Sequence, residues 1–122
     1  GEGCQQSPML SHSVSRIPAV QMMFRQAELV LGYDLHEVCE VFPEMLLART
    51  KFGQPAVFAA SLAALYMLKA RKPNVVARAG ALVGFGMGYY TALCAAGVLA
   101  FEDALKVLQV RAEAMEETIR AS

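Results

Sequence analysis

The segment from residue 84 to residue 90 reads Gly-Phe-Gly-Met-Gly-Tyr-Tyr, and its surroundings are those of a nucleophile elbow. An uncharged run, residues 80–83, leads into it, and a run of small residues, 91–97, follows it. A strand, a sharp turn and a helix in this order place the central residue of G-x-S-x-G at the exposed tip of the turn, where a serine can attack an acyl group. Here the central residue is Gly86, which has no side chain. The pattern therefore predicts the layout of an acyl-transfer site without its attacking atom.

Arg111 is a second residue whose position suggests a functional role, the binding of a carboxylate. The predicted helix 101–120 has an apolar stripe that consists of Phe101, Ala104, Leu108, Ala112, Met115 and Ile119. Arg111 falls on or beside this stripe, away from the charged face of the helix. In one interpretation the aliphatic part of the side chain packs on the protein while the guanidinium reaches water. In the other the guanidinium turns inward and binds a carboxylate through two N–H donors. The spacing alone favours the first of these interpretations.

The first half of the chain is predicted to be loop followed by two helices. Residues 1–15 are polar and rich in Gly, Ser and Pro, which is typical of a loop. A helix is expected to begin after Pro18 and to end at a Gly32 cap. Asp34 is placed to cap a short helix over residues 35–41.

The second half is predicted to contain three further helices and one clear strand. Pro55 occupies a position suited to the first turn of a helix, so a strong helix is expected over residues 56–71. Residues 75–83 follow, and at least their later part has the pattern of a buried strand. The elbow helix is predicted at 91–96 and the last helix at 101–120.

Composition and charge exclude two classes of site. The chain has 122 residues, 56% of them hydrophobic, which fits one domain with a well-buried core. Its 11 basic and 11 acidic residues cancel and form no basic block, so no nucleic-acid contact is expected. Cys4, Cys39 and Cys94 are widely spaced and odd in number, which argues against a disulfide framework or a zinc site. No metal and no cofactor are predicted.

The uncharged stretch from residue 79 to residue 101 is long enough to cross a bilayer. Gly80, Gly84 and Gly88 also recur at the four-residue spacing of packed membrane helices. Further glycines interrupt the stretch and divide it into strand, turn and helix, so a chain that does not span the membrane is the favoured interpretation.

Several blocks of this sequence occur together in a known family. In order, they are residues 1–5 (G-E-G-C-Q), 31–35 (L-G-Y-D-L), 54–62 (Q-P-A-V-F-A-A-S-L), 84–88 (G-F-G-M-G) and 110–115 (V-R-A-E-A-M). These blocks resemble the malonyl-CoA:acyl-carrier-protein acyltransferase family over essentially the whole chain. Phe85 and the R-A-E-A-M run are similar to the mitochondrial branch of that family, so the resemblance implies a mitochondrial location, in the matrix.

The resemblance implies a damaged catalytic site. The family's serine nucleophile corresponds to Gly86, and the glutamate of its elbow corresponds to Tyr89. Glu2 stands in place of the first-loop glutamine, so Glu2 and Met87 are interpreted as remnants of the oxyanion loop. Three departures together indicate a catalytically dead protein. Cys94 could replace the missing nucleophile in principle, but a small buried cysteine is the favoured interpretation.

The resemblance also implies a retained binding site. In the family an arginine pairs with the free carboxylate of the malonyl group, and that arginine corresponds to Arg111. The glutamine of the family's Q-P-A block corresponds to Gln54. The resemblance leaves two possibilities open for both residues, a remnant of the substrate pocket or simple packing.

The implied fold is α/β, the N-terminal portion of the acyltransferase large subdomain, which is α/β-hydrolase-like and helix-rich with a short parallel sheet. Residues 1–122 are expected to form a partial domain, because the family's ferredoxin-like subdomain and catalytic histidine fall after residue 122. His12 and His36 match none of the motifs and are expected to be ordinary surface histidines.

The predicted function is that of a pseudoenzyme on an acyltransferase scaffold. It would serve as a structural or acyl-carrier-protein-binding subunit of a larger, mitochondrial multi-protein complex. A partial subdomain would leave apolar surface exposed, which favours a partner over a free monomer. The alternative is a fragment of an active malonyl transferase of fatty-acid synthesis.

Overall fold

The computed structural model describes all residues from 1 to 122 and contains eight helices and no β-strand. The helices are α1 (His12–Ser15), α2 (Pro18–Leu31), α3 (Leu35–Val41), α4 (Glu44–Leu47), α5 (Thr50–Arg71), α6 (Pro73–Ala77), α7 (Gly88–Ala95) and α8 (Phe101–Ala121). The expected richness in helix is confirmed, whereas the expected short parallel sheet is not present.

The two longest helices, α5 and α8, form the centre of the molecule and run antiparallel. Arg49, immediately before α5, binds Glu116 near the end of α8. Phe58, further along α5, stacks on Phe101 at the start of α8, with ring centroids 5.6 Å apart and ring planes 7° from parallel. Helices α2, α3 and α7 pack around this pair. The central α5 is therefore the element against which every candidate site residue on α8 is positioned.

Local capping signals placed the first helices correctly. Gly32 ends α2 in the left-handed region, at φ 82°, and its N–H donates to the Glu28 carbonyl. The Asp34 carboxylate accepts the N–H of Glu37 at 3.2 Å, which caps α3 as predicted. The loop predicted over residues 1–15 is interrupted by α1, which its own N-cap, Ser11, initiates.

The prediction that Pro55 opens its helix is wrong. Helix α5 begins five residues earlier, at Thr50, and Pro55 lies inside it. Proline in that position removes one hydrogen bond, to the carbonyl four residues before. The first half of α5 is buried on nearly all sides, with Thr50 and Gln54 almost inaccessible to solvent. Burial of this segment outweighs the lost bond, so packing rather than local propensity sets the start of the helix.

The prediction of a buried strand before the turn is also wrong. The first part of residues 75–83 belongs to α6, and residues 79–85 have no regular secondary structure. Val83 and Phe85 are 93% and 95% exposed. A strand needs a neighbour to complete its hydrogen bonds, and no other segment of this chain lies beside residues 79–85 as a strand.

The apolar stripe predicted on the last helix holds only over its first three turns. Ala104, Leu108 and Ala112 are fully buried, but Ile119 is 63% exposed. The helix extends past the end of the core there, so its last turn has nothing apolar to pack against. None of the eight helices is both long enough and apolar enough to cross a membrane.

The ion pair between Arg49 and Glu116 makes stability depend on pH. Arg49 donates Nε–H and Nη2–H to the two carboxylate oxygens of Glu116, each at 3.1 Å. These hydrogen bonds hold the pKa of Glu116 below its usual range. Because the folded pKa lies below the unfolded one, the pair stabilises the fold above the unfolded value, about 4.3, and this stabilisation is lost as the pH falls through the folded pKa.

We therefore expect a Glu116→Gln variant to melt at a lower temperature than the unmodified protein at pH 7 and at nearly the same temperature under acid conditions. Thermal unfolding followed by circular dichroism from pH 7 to about pH 3 measures this. Glu117→Gln is the matched control, because Glu117 is exposed on the same helix and forms no ion pair. Equal acid dependence of the two variants would contradict the assignment.

Candidate functional site

The residues of the predicted elbow form a sharp turn that opens directly into a helix. Gly88 N–H donates to the Phe85 carbonyl at 3.0 Å, and Tyr89 N–H donates to the Gly86 carbonyl at 3.2 Å. Gly86 sits between them at φ 60°, in the left-handed region that glycine adopts without strain. Helix α7 begins at Gly88. The turn and the helix of the predicted layout are thus present, and Gly86 lies at the bend.

Gly84 has a separate structural reason to be glycine. A Cβ added at residue 84 would clash with the carbonyl of Gly88 and with the N–H of Tyr89. The backbone before the turn therefore passes directly against the first turn of α7. This close approach explains the glycine at residue 84 without any contact between membrane helices.

A groove of about 270 Å³ lies beside this turn. Apolar side chains of α5 and α7 form its walls, and Met87, Gly88 and Gly1 also line it. Gly1 and the turn therefore border the same groove. Glu2 itself is exposed and does not line the groove. Met87 is 3% exposed, and its backbone N–H donates to no acceptor in the chain.

The structure brings Arg111 and Gln54 into direct contact. Arg111 on α8 donates an Nη1–H to Oε1 of Gln54 on α5. Gln54 is completely buried, and its Nε2 donates to Thr50 Oγ1 at 2.7 Å and to Met115 Sδ at 3.2 Å. Each polar atom of the Gln54 amide therefore has a partner, which fixes the orientation of the oxygen that holds the arginine.

No carboxylate of the chain neutralises Arg111. The only ion pair in the structure joins Arg49 to Glu116. A guanidinium has five N–H donors, and the one hydrogen bond to Gln54 leaves four of them for another partner. The half-buried guanidinium of Arg111 is held by the buried amide of Gln54. An arginine that only reaches water would not need this contact. The arrangement suits two-pronged binding of a carboxylate.

The remaining candidates do not join this site. His36 Nε2 lies 3.4 Å from Ser15 Oγ, and the ring packs edge-on against Phe24. His12 is exposed on α1. Neither histidine lines the groove beside Gly86. Burial raises the pKa of the half-buried Cys94 thiol, which keeps it protonated and a poor nucleophile at neutral pH.

Sequence reasoning missed Thr50 and Met115, the two residues that orient Gln54. Thr50 and Gln54 are four residues apart and therefore neighbours on a helix. The sequence shows this spacing, but Pro55 predicts a later start of the helix, which leaves Thr50 outside the predicted helix. Met115 was assigned to the apolar stripe, and its role as a sulfur acceptor follows only from the packing of α8 on α5.

Comparison with known proteins shows what this chain is similar to. No model of a known protein family matches it. A mitochondrial malonyl-CoA-acyl carrier protein transacylase of Mus musculus is 42% identical over 121 residues, which are 99% of this chain and 32% of the mouse protein. The chain thus spans about a third of the length of that relative.

Two solved structures agree with this likeness. The malonyl-CoA-acyl carrier protein transacylase of Streptococcus pneumoniae is 33% identical, with a TM-score of 0.83, and the match covers 96% of this chain and 37% of that one. A malonyl transacylase in complex with its type II polyketide synthase acyl carrier protein is 35% identical, with a TM-score of 0.81, over 96% of this chain and 37% of that one. The resemblance predicted from the sequence motifs is therefore confirmed: the homologues of this chain are malonyl-CoA-acyl carrier protein transacylases, mitochondrial forms among them.

Proposed function

We propose that this chain, whose homologues are malonyl-CoA-acyl carrier protein transacylases, is a transacylase-like protein that binds but does not transfer a malonyl group. The observation that supports this most directly is the bare Gly86 at the bend of an otherwise intact turn. An acyl transfer through this turn needs a side-chain nucleophile at its tip. Without one, turnover falls by orders of magnitude, and only binding and oxyanion effects remain.

The chemistry of Glu2 agrees with an inactive site. The resemblance places this residue in the loop that would stabilise a developing oxyanion. A carboxylate there opposes the negative charge of the tetrahedral intermediate, where a neutral amide would support it. The neighbouring Met87 N–H remains without an acceptor in the chain, so a single donor of the oxyanion site would survive.

The binding half of the site has kept its polar contacts. Arg111 has no carboxylate partner of its own and is held in place by the buried Gln54. The resemblance matches Arg111 to the family's carboxylate-binding arginine and Gln54 to the glutamine of its Q-P-A block. We therefore assign Arg111 to the carboxylate of a malonyl thioester and Gln54 to the positioning of Arg111.

An acyl carrier protein is the partner that fits this scaffold. One structural neighbour is a malonyl transacylase bound to its carrier protein, at a TM-score of 0.81 with this chain. We place the protein in mitochondria, in the matrix, because similar proteins include mitochondrial transacylases of mouse, human and Drosophila melanogaster. A structural or carrier-binding subunit of a larger assembly there is the proposed role.

The second candidate function is a part of an active malonyl transferase. It is favoured by the length of the relatives, of which this chain spans about a third in the mouse case. The two candidates differ in one property of the protein: an active transferase forms a covalent malonyl adduct, and a pseudoenzyme does not.

Incubation with malonyl-CoA followed by intact mass measurement separates them. We expect no adduct on the unmodified protein. We expect Gly86→Ser to fold, since a Cβ at residue 86 meets no atom within 4 Å, although the left-handed backbone costs a non-glycine residue roughly 1 to 2 kcal/mol. An adduct found only on Gly86→Ser would support the proposal that the unmodified protein is catalytically inactive. It would also show that the binding pocket is intact.

Gly32→Ser is the matched control, because Gly32 has a similar φ of 82° and open space around its Cβ position, far along the chain from the turn. It should show a similar loss of stability and no adduct. A malonyl adduct on the unmodified protein would overturn the proposal, and peptide mapping would then be directed first to Cys94.

A further inference from the structure

We propose that Thr50 is a positioning residue that sets the preference of Arg111 for ligands with a free carboxylate. The inference rests on the proposed function, in which Arg111 binds the carboxylate of a malonyl thioester. Thr50 makes no hydrogen bond to Arg111. The two residues are joined through the side-chain amide of Gln54, which is hydrogen-bonded to both.

The neighbours of the Gln54 amide allow only one orientation of it. A guanidinium can only donate hydrogen bonds, so the amide must turn its oxygen toward Arg111. A thioether sulfur can only accept them, so the amide must turn its NH₂ group toward Met115. Thr50 Oγ1 accepts the NH₂ group at 2.7 Å. Since sulfur is a weak acceptor, the hydroxyl of Thr50 is the stronger of the two groups that hold this orientation.

The four residues of this network are held by two rigid elements. Thr50 and Gln54 are four residues apart on α5, and Arg111 and Met115 are four residues apart on α8. This spacing places both members of each pair on one face of their helix. The antiparallel packing of α5 on α8 brings the two pairs together. The geometry of the network is therefore set before any ligand arrives.

Water cannot take the place of the Thr50 hydroxyl. Gln54 is completely buried, and Thr50 is only 5% exposed. Without the hydroxyl, one N–H of a buried amide would have no acceptor, which costs more than the loss of an exposed hydrogen bond. The amide can avoid this cost only by leaving its position, and its oxygen then leaves Arg111.

Loss of the Gln54 oxygen would release the Arg111 side chain, which has no other hydrogen-bond partner in the chain. A guanidinium that is already held loses little freedom when a carboxylate binds, whereas a released one must be ordered first. Thr50 therefore acts on carboxylate binding by preorganisation. One neutral hydrogen bond corresponds to a change in the preference for the carboxylate of about 2- to 13-fold.

Isothermal titration of Thr50→Val with malonyl-CoA and with acetyl-CoA tests the inference. Valine has the shape of threonine without the hydroxyl, so we expect the preference for malonyl-CoA to fall about 2- to 13-fold while the affinity for acetyl-CoA stays constant. Thr50→Ser keeps the hydroxyl and should restore the preference. A purely structural role of Thr50 would weaken the binding of both thioesters alike.

Thr118→Val is the matched control. Thr118 is an exposed threonine of α8 whose hydroxyl donates to the Ala114 carbonyl of its own helix. Its replacement should leave the preference for malonyl-CoA unchanged.

Nuclear magnetic resonance without ligand tests the geometry separately. The side-chain amide protons of Gln54 should exchange slowly with solvent in the unmodified protein and in Thr50→Ser, because the amide is buried and hydrogen-bonded. In Thr50→Val they should exchange faster. Equal exchange rates in all three proteins would contradict the role of the hydroxyl in holding the amide.

Met115→Leu keeps the inference testable if Thr50→Val does not fold. This change removes the weaker acceptor at nearly constant volume, so it should lower the preference for malonyl-CoA by a smaller factor. An undiminished preference in folded Thr50→Val, or in Met115→Leu where the valine variant is unfolded, would overturn the inference and leave the proposed function intact. Equal binding of the two thioesters by the unmodified protein would contradict the proposed function, and the inference would fall with it.

Discussion

Replacing Phe58 by alanine is expected to lower the free energy of unfolding by about 3 to 5 kcal/mol. Phe58 is completely buried in α5, and its ring stacks nearly parallel to that of Phe101 of α8. The substitution removes this contact and leaves a cavity between the two helices that carry the candidate site. Domains are stable by about 5 to 15 kcal/mol, so this single change should remove a large part of the total. Urea unfolding at 25 °C measures it.

Tyr66→Ala is the control for the Phe58 variant. Tyr66 is an aromatic residue of the same helix but is exposed, and its loss should change stability by no more than roughly 0.5 to 1 kcal/mol. The Phe58 variant should also bind ligands of Arg111 more weakly, because Gln54 lies one turn before Phe58 on α5. Equal effects of the two substitutions would show that the α5–α8 contact is not the centre of the core.

Elements with local start and stop signals could be predicted from the sequence. Helix α2 ends at Gly32 because a glycine reaches the left-handed region without strain, and α3 begins at Asp34 because its carboxylate accepts a free N–H of the first turn. Both signals act within a few residues of the helix ends. No information about the rest of the fold was needed to read them.

Features that depend on distant packing could not be read in this way. The start of α5 at Thr50 follows from burial among the other helices, which outweighs the local preference of Pro55. Residues 79–85 have the composition of a buried strand, but a strand exists only beside another one. The uncharged run predicts a buried strand, and this prediction is wrong because no second strand lies beside the segment.

The candidate site was predictable in its members but not in its contacts. The motif order named Arg111 and Gln54 together, and the structure places them in one hydrogen bond. Spacing along α8 alone favoured an arginine that reaches water, because a helix pattern says nothing about the residue opposite. The antiparallel packing of α5 on α8 decides that the opposite residue is Gln54, and the assignment of both to a ligand stays a prediction.

Discrimination between malonyl-CoA and acetyl-CoA is the property that we expect Arg111 to control. The two thioesters differ by the free carboxylate, for which the guanidinium has donors to spare. A hydrogen-bonded charge pair contributes about 1.5 to 3 kcal/mol, which corresponds to roughly 10- to 150-fold in affinity. Isothermal titration should therefore show tighter binding of malonyl-CoA than of acetyl-CoA by the unmodified protein, and Arg111→Leu should remove the difference.

Two further variants separate the role of charge from that of geometry. Arg111→Lys keeps the positive charge but loses the planar fork, so it should retain only part of the preference for malonyl-CoA. Arg120→Leu removes an exposed arginine from the last turn of the same helix and should leave the preference intact. Because acetyl-CoA lacks the carboxylate, its affinity should stay constant across all three variants, which rules out a general loss of folding as the cause. Equal binding of the two thioesters by the unmodified protein would instead assign Arg111 and Gln54 to packing, since their contact would then serve only to join α5 and α8.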